Sequence, residues 1–174
     1  ILMLRQISDP RDIRAMWKAG VILTVGSPEA AARINDAVDG PVSVHLKIDT
    51  GMGRYGFLPS QLSEMVELFR QEGYIRVKGI FTHFNCAFCN DALTRSQFEL
   101  FRKTVSDLEQ AGCDTGTVHC CNSSAFLKYP EMHMGGVRLG SALLGRMSFP
   151  TDLRALGSVE TTIEELRILP KGHH

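Results

Sequence analysis

The 174-residue chain reads as an α/β protein: a partial (β/α)8 barrel of the TIM type, about its third to eighth strand, followed by the start of a β-rich domain. Three observations predict this. Apolar strand-like runs alternate with helix-periodic segments along almost the whole chain. Four successive strand ends carry polar or reactive groups. After Gly145 the alternation stops.

The expected strands are Ile1–Leu4, Val21–Val25, Val42–Asp49, Val77–His83, Thr117–Cys121 and Val137–Leu144. Helices are expected between them at Pro10–Lys18, Pro28–Val38, Pro59–Gln71, Leu93–Ala111 and Ser124–Tyr129. Ser27 before Pro28 is a helix start with a capping hydroxyl and a first-turn proline, and Gly73 and Gly112 stand where helices should stop. Repeated strand-helix units require parallel strands joined by right-handed crossovers, either as a barrel or as a doubly wound sheet. Six strands fall short of the eight a barrel needs and the chain opens inside a strand, so a fragment lacking two N-terminal units is expected. Residues 1–147 are read as the partial barrel. Residues 148–174 are read as a linker and first strand of the next domain, because Val159–Ile163 alternates like a half-exposed antiparallel strand. The closing His173-His174 reads as native sequence or as a tag remnant.

Composition narrows the function classes. The chain is 44% hydrophobic and carries 19 basic against 19 acidic side chains, which points away from nucleic acid and anionic membranes and toward a small-molecule partner. No apolar run approaches the roughly 20 residues that span a bilayer, and the N-terminus lacks signal-peptide regions. Five cysteines, an odd number confined to Cys86–Cys121, suit reduced thiols and a cytoplasmic location. Cys86-Ala87-Phe88-Cys89 has redox or metal spacing, but no second pair completes a four-ligand site, so structural or incidental cysteines are expected and no metal.

Chemistry concentrates at the strand ends. Val44–Ile48 stops at Asp49-Thr50-Gly51-Met52-Gly53-Arg54, where glycines free the backbone at the edge on which parallel barrels bind ligands. Taken alone, Asp-Thr-Gly is equally turn chemistry. His83, His119 and Asn122-Ser123, then Arg138 and Gly140, end the following strands. A lone histidine reads as a satisfied core residue and a lone serine as a cap; four endings on one edge make a shared pocket the economical reading. Ser123 at a helix start and Val137-Arg138-Leu139-Gly140-Ser141 suit an anion such as a cofactor phosphate.

Val44–Phe57, Gly79-Ile80-Phe81-Thr82-His83-Phe84, His119-Cys120-Cys121-Asn122-Ser123 and Val137-Arg138-Leu139-Gly140 together resemble the alanine racemase family, in order and spacing. The Lys-x-Asp-Thr-Gly-Met-Gly-Arg string is the most specific of these motifs. The resemblance implies pyridoxal 5'-phosphate as cofactor, an amino-acid substrate, and a homodimer with shared active sites. It implies that Arg54 bonds the cofactor's phenolic oxygen and that Lys47, often carbamylated in the family, supports Arg54. It implies that His83 packs on the pyridine ring, that Asn122, Ser123, Gly140 and Ser141 surround the phosphate, and that His119 orients Arg138. Arg138 would meet the pyridine nitrogen; a guanidinium stays protonated and donates, so that nitrogen stays unprotonated and build-up of a carbanion-like intermediate is limited.

The resemblance further implies that the Schiff-base lysine and the opposing tyrosine, the two bases needed for inversion, lie outside these residues. Lys18 is in a helix-like segment and Lys47 matches a different position. One departure is visible: Leu143-Leu144-Gly145 replaces the family's apolar-Tyr-Gly. Racemisation of alanine for peptidoglycan is the leading expectation. Racemisation of serine or a basic amino acid, and a non-catalytic barrel that binds the cofactor, are the alternatives. A related decarboxylase is disfavoured, because those enzymes resemble one another in having an acid where Arg138 stands.

Overall fold

Strand order decides between the two architectures left open. In the computed structural model, which describes residues 1–71 and 73–173, the strands β1 (Leu23–Val25), β2 (Val42–Lys47), β3 (Ile75–Phe81), β4 (Thr117–Cys121) and β5 (Gly136–Val137) form one parallel sheet in chain order. A doubly wound sheet reverses its order at a switch point; this one does not, so it is a barrel segment, open rather than closed.

The helices α1 (Pro10–Lys18), α2 (Pro28–Ala37), α3 (Leu62–Arg70), α4 (Asp91–Gln110) and α5 (Ser123–Lys128) connect them, with a 3-10 turn at Pro130–Met132. Their ends follow local capping chemistry. Asp9 accepts from Arg11 N at 2.8 Å and Ser27 Oγ from Ala30 N at 3.2 Å, each ahead of a first-turn proline. Asn90 caps α4 by accepting from Leu93 N at 3.0 Å, so that helix starts two residues before the expected Leu93. Asn122 caps α5 in the same way, which makes Ser123 its first residue. Gln61 Oε1 instead holds Leu58 N at 3.0 Å, so Pro59-Ser60 form a turn and α3 starts at Leu62.

One face of the sheet meets the helices. Val42, Val44, Leu46, Ile48 and Ile80 pack there with Ile34, Met65, Phe101 and Leu108 in one apolar core. In α4, Phe98, Phe101, Val105 and Leu108 recur at helical spacing and are all buried. Truncating one of these, such as Leu46→Ala, is expected to cost about 2–5 kcal/mol.

Three expected strands differ. Ile1–Leu4 makes only a parallel bridge from Leu2 to Ile22, because the edge beside β1 has no further partner among the described residues. The strand expected over Val137–Leu144 ends at Val137, and residues 141–145 form a turn in which Leu144 N donates to Gly140 O at 3.1 Å. Val159–Ile163 pairs with nothing among the described residues, and residues 150–173 are exposed and without helix or strand. An alternating pattern specifies a face, but a strand also needs a neighbouring strand. His174 lies outside the described residues.

Candidate functional site

Alternation along β2 separates two chemistries. Val44, Leu46 and Ile48 face the helices, so His45, Lys47 and Asp49 face the other side, where Phe81 and His119 are also buried. The Phe81 and His119 rings stack 5.1 Å apart at 10°, and the Arg138 guanidinium lies over Phe81 at 5.2 Å.

Arg138 is the centre of this layer. Its Nη1 contacts His119 Nδ1 at 2.7 Å and His119 O at 3.3 Å, and its Nη2 donates to Thr82 O at 2.7 Å and Cys120 O at 3.1 Å. A guanidinium has five N–H groups. These contacts occupy the four on Nη1 and Nη2, leaving Nε, which is buried without a partner among the described residues. Because arginine only donates, His119 Nδ1 is the acceptor, and Nε2 of that ring carries the proton toward His45 Nδ1 at 2.9 Å. Burial, then Arg138 and His45, push His119 down to about 3, so the ring stays neutral at physiological pH. His45 is lowered by burial and Arg138 in the same sense.

The loop after β2 is organised by its acid. Asp49 Oδ1 accepts from Gly51 N, Met52 N and Gly53 N at 3.0, 2.8 and 3.2 Å, and Oδ2 accepts from Gly53 N at 2.9 Å. Burial alone would raise the Asp49 carboxyl; the backbone donors outweigh it and the net shift is downward. Gly51 and Gly53 have φ of 130° and 71°, a region that glycine enters freely. Thr50 and Thr82 hydroxyls pair at 2.9 Å and tie this loop to the end of β3.

Lys47 is 1% exposed, and its Nζ donates to the Tyr55 carbonyl and lies 4.5 Å from the centre of the Tyr55 ring. Among the described residues it has no acidic partner within ion-pair distance. Burial lowers its pKa; Asp49 opposes this, and Arg54 and Arg138 add to the lowering. Arg54 is exposed and makes no hydrogen bond among the described residues. Lys47 and Arg54 share no hydrogen bond among the described residues; unmodified, both side chains are cations and repel.

Residues from three strand ends converge. Gly140 N donates to Ser123 Oγ at 2.9 Å, and a cleft of ≈ 380 Å³ is lined by His83, Asn122, Ser123, Arg138, Gly140 and Ser141 along with Leu4. Burial first, then Arg138, Arg54 and Lys47, push His83 down to about 4, so it presents a neutral ring. A Cβ at Gly140 would meet nothing within 4 Å. Six expected residues thus line one cleft, with His119 behind Arg138, while Lys47 ends β2 and Arg54 lies in the adjoining loop. His45 and Tyr55 were missed by sequence reasoning. His45 was findable, because it shares a strand face with Lys47 and Asp49.

A parallel barrel segment with polar strand ends meeting in one cleft defines an α/β-barrel protein with a candidate ligand site. Residues 1–148 match the family model described as the alanine racemase N-terminal domain. The chain belongs to the alanine racemase family. It is 40% identical over 140 residues to alanine racemase 1 of Oceanobacillus iheyensis, covering 76% of this chain and 37% of that one. Against the alanine racemase of Methanococcus maripaludis it is 37% identical over 147 residues, 82% of this chain and 39% of the other. The structure of Clostridium difficile 630 alanine racemase in complex with cycloserine superposes with a TM-score of 0.80 at 31% identity, covering 89% of this chain and 45% of that one. The chain therefore spans less than half the length of these relatives.

Proposed function

We propose that the protein to which this chain belongs is a pyridoxal 5'-phosphate-dependent amino-acid racemase, acting on alanine and supplying D-alanine for peptidoglycan as a cytoplasmic homodimer. The carrying observation is the donor count at Arg138: four N–H groups are spent on His119, Thr82 and Cys120, and one buried N–H is left for an acceptor such as a pyridine nitrogen. The open space at Gly140 beside Ser123 suits a phosphate approaching backbone closely. The residues fit the cofactor.

When bound, pyridoxal 5'-phosphate supplies an electron sink for the pair left as the Cα proton departs. This chain's residues bind and orient. Ser123 Oγ with the Gly140 and Ser141 backbone would hold the phosphate, neutral His83 would pack on the ring, and Arg138 would donate to its nitrogen without transferring a proton. His119 and His45 keep that guanidinium directed. Arg54, once anchored, would reach the phenolic oxygen. The two bases that move the Cα proton are expected from parts of the longer relatives that this chain does not span. Residues 148–174 would be the linker to the next domain.

Serine or a basic amino acid is the second substrate reading, favoured by Leu143 and Leu144, which are exposed beside the cleft-lining Ser141 where the family has a tyrosine. The test is a chiral chromatographic assay of the intact protein against a panel of L-amino acids, with a cofactor titration followed by absorbance. Fastest turnover of alanine supports the proposal. Cofactor binding with no racemisation of any amino acid supports the non-catalytic carrier, and absence of cofactor binding rejects both.

A further inference from the structure

The cleft residues leave one chemically competent pair unused. Cys113, Cys120 and Cys121 are buried, and the thiols of the last two are both satisfied by Met132 O. Cys86 is half-buried and Cys89 exposed, and both are free. They sit on one tight turn: Cys89 N donates to Cys86 O at 3.0 Å and Asn90 N to the same oxygen at 2.9 Å. A turn closed by such a bond brings its first and fourth Cα atoms within about 7 Å, near the span a disulfide bridges.

The turn is spliced into the loop that carries His83. Asn85 N donates to Gln97 Oε1 at 3.1 Å on its upstream side; Asn90, which caps α4, stands on its downstream side. Both sides are anchored: Asn90 O also receives the Thr94 hydroxyl at 2.7 Å, and Phe84 upstream and Ala87 within the turn are buried in the core.

We propose that Cys86 and Cys89 form a reversible disulfide in exchange with a low-molecular-weight disulfide, and that its closure shifts Asn85 beside the turn and, with it, the cleft-lining His83. One cysteine thiolate attacks the small disulfide and releases one thiol. The second cysteine then attacks the mixed disulfide and releases the other. Two electrons pass to the small disulfide, and the two cysteine protons end on the released thiols. Cytosolic disulfides of this kind are usually transient and redox-sensing. The inference stands on the turn itself and does not need the racemase reading.

Lys78 and Arg95 bracket a tryptic peptide, Gly79–Arg95, that holds these two cysteines and no others. The protein is equilibrated with reduced and oxidised glutathione, alkylated and digested. The expected result is an unalkylated Gly79–Arg95 peptide lighter by two hydrogens, restored by reductant, with faster amide exchange at Asn85 in the oxidised form. Thiols that stay alkylatable, or that carry separate glutathione adducts, overturn the disulfide. A disulfide with unchanged exchange at Asn85 overturns the shift. Cys89→Ser, at an exposed position, should abolish the redox response while leaving reduced-state exchange as it was. Pyridoxal 5'-phosphate titration of both redox forms is expected to show at least a threefold weaker affinity when oxidised; failure of binding in both forms rejects the proposed function and leaves the peptide result standing.

Discussion

Arg138 Nη1 and His119 Nδ1 stand 2.7 Å apart, and that contact dictates the protonation of everything behind it. His119 must accept there, so its proton lies on Nε2 and is donated to His45 Nδ1 at 2.9 Å. Protonating His119 would set a donor against a cation, which is one reason the ring resists charging.

Acid should therefore unfold this protein early. His119 at about 3 and His83 at about 4 lie below the unfolded value of about 6.5, so the unfolded chain binds more protons between these limits. Stability is full above pH ~6.5 and falls as pH drops toward ~3, with the His119 share on the order of 3–5 kcal/mol. Urea midpoints measured from pH 7 to pH 4 should decline, and His119→Gln should flatten the slope. An unchanged slope in that variant would show that His119 titrates normally.

Gly79→Ala should strike the same layer. A Cβ there would stand 2.5 Å from His45 Cε1 and 2.5 Å from Thr117 O. The expected loss is about 1–3 kcal/mol, from overpacking. Adding His45→Ala should recover only part of it, because the Thr117 carbonyl remains; full recovery in chemical denaturation would contradict that geometry.

Asp49→Ala should loosen the loop that carries Arg54. It removes the acceptor of three backbone N–H groups, a loss of about 2–3 kcal/mol for a charged acceptor. Amide exchange at Gly51–Gly53 should accelerate more than exchange in β2. Uniform acceleration would indicate global destabilisation instead.

Lys47 should take up carbon dioxide. Burial lowers its pKa, which enriches the neutral amine that reacts, and a carbamate would convert a buried cation into an anion able to accept from Arg54. Protein equilibrated with 13C-bicarbonate should show one carbamate resonance that Lys47→Gln abolishes. Without that resonance, Arg54 must be anchored by something other than Lys47.

Cofactor affinity should depend on Arg138 more than on charge alone. Arg138→Lys keeps a cation but cannot reach His119, Thr82 and Cys120 while leaving a further N–H free. About tenfold weaker binding of pyridoxal 5'-phosphate is expected, comparable with loss of one hydrogen bond. Equal affinity for the two proteins would remove the ring nitrogen from the guanidinium's partners.

Much of this was legible in the chain because it is local. Asn90 and Asn122 moved two helix starts by only one or two residues, and the β2 alternation already separated Val44, Leu46 and Ile48 from Lys47. Three of the four expected strand ends line the cleft, and the Asp49 loop adjoins it, because parallel strands in chain order present their C-terminal ends to one edge. Val159–Ile163 alternates but forms no strand here, because alternation alone supplies no neighbouring strand among the described residues.

By itself, the sequence determined the element order, the family motifs and the residue types at the cleft, since capping, periodicity and turn chemistry act within a few residues. The tertiary structure decided the rest. His45 meets His119 because the β2–β3 register shifts between Val44 and His45, setting His45 opposite Gly79, the residue with room for its ring. Arg138 keeps one N–H free because three residues distant in sequence consume the other four. Lys47 and Arg54, at the two ends of one motif, make no hydrogen bond to each other among the described residues, and a backbone carbonyl satisfies the buried lysine. Such pairings depend on inter-strand register and donor accounting, which no local pattern encodes.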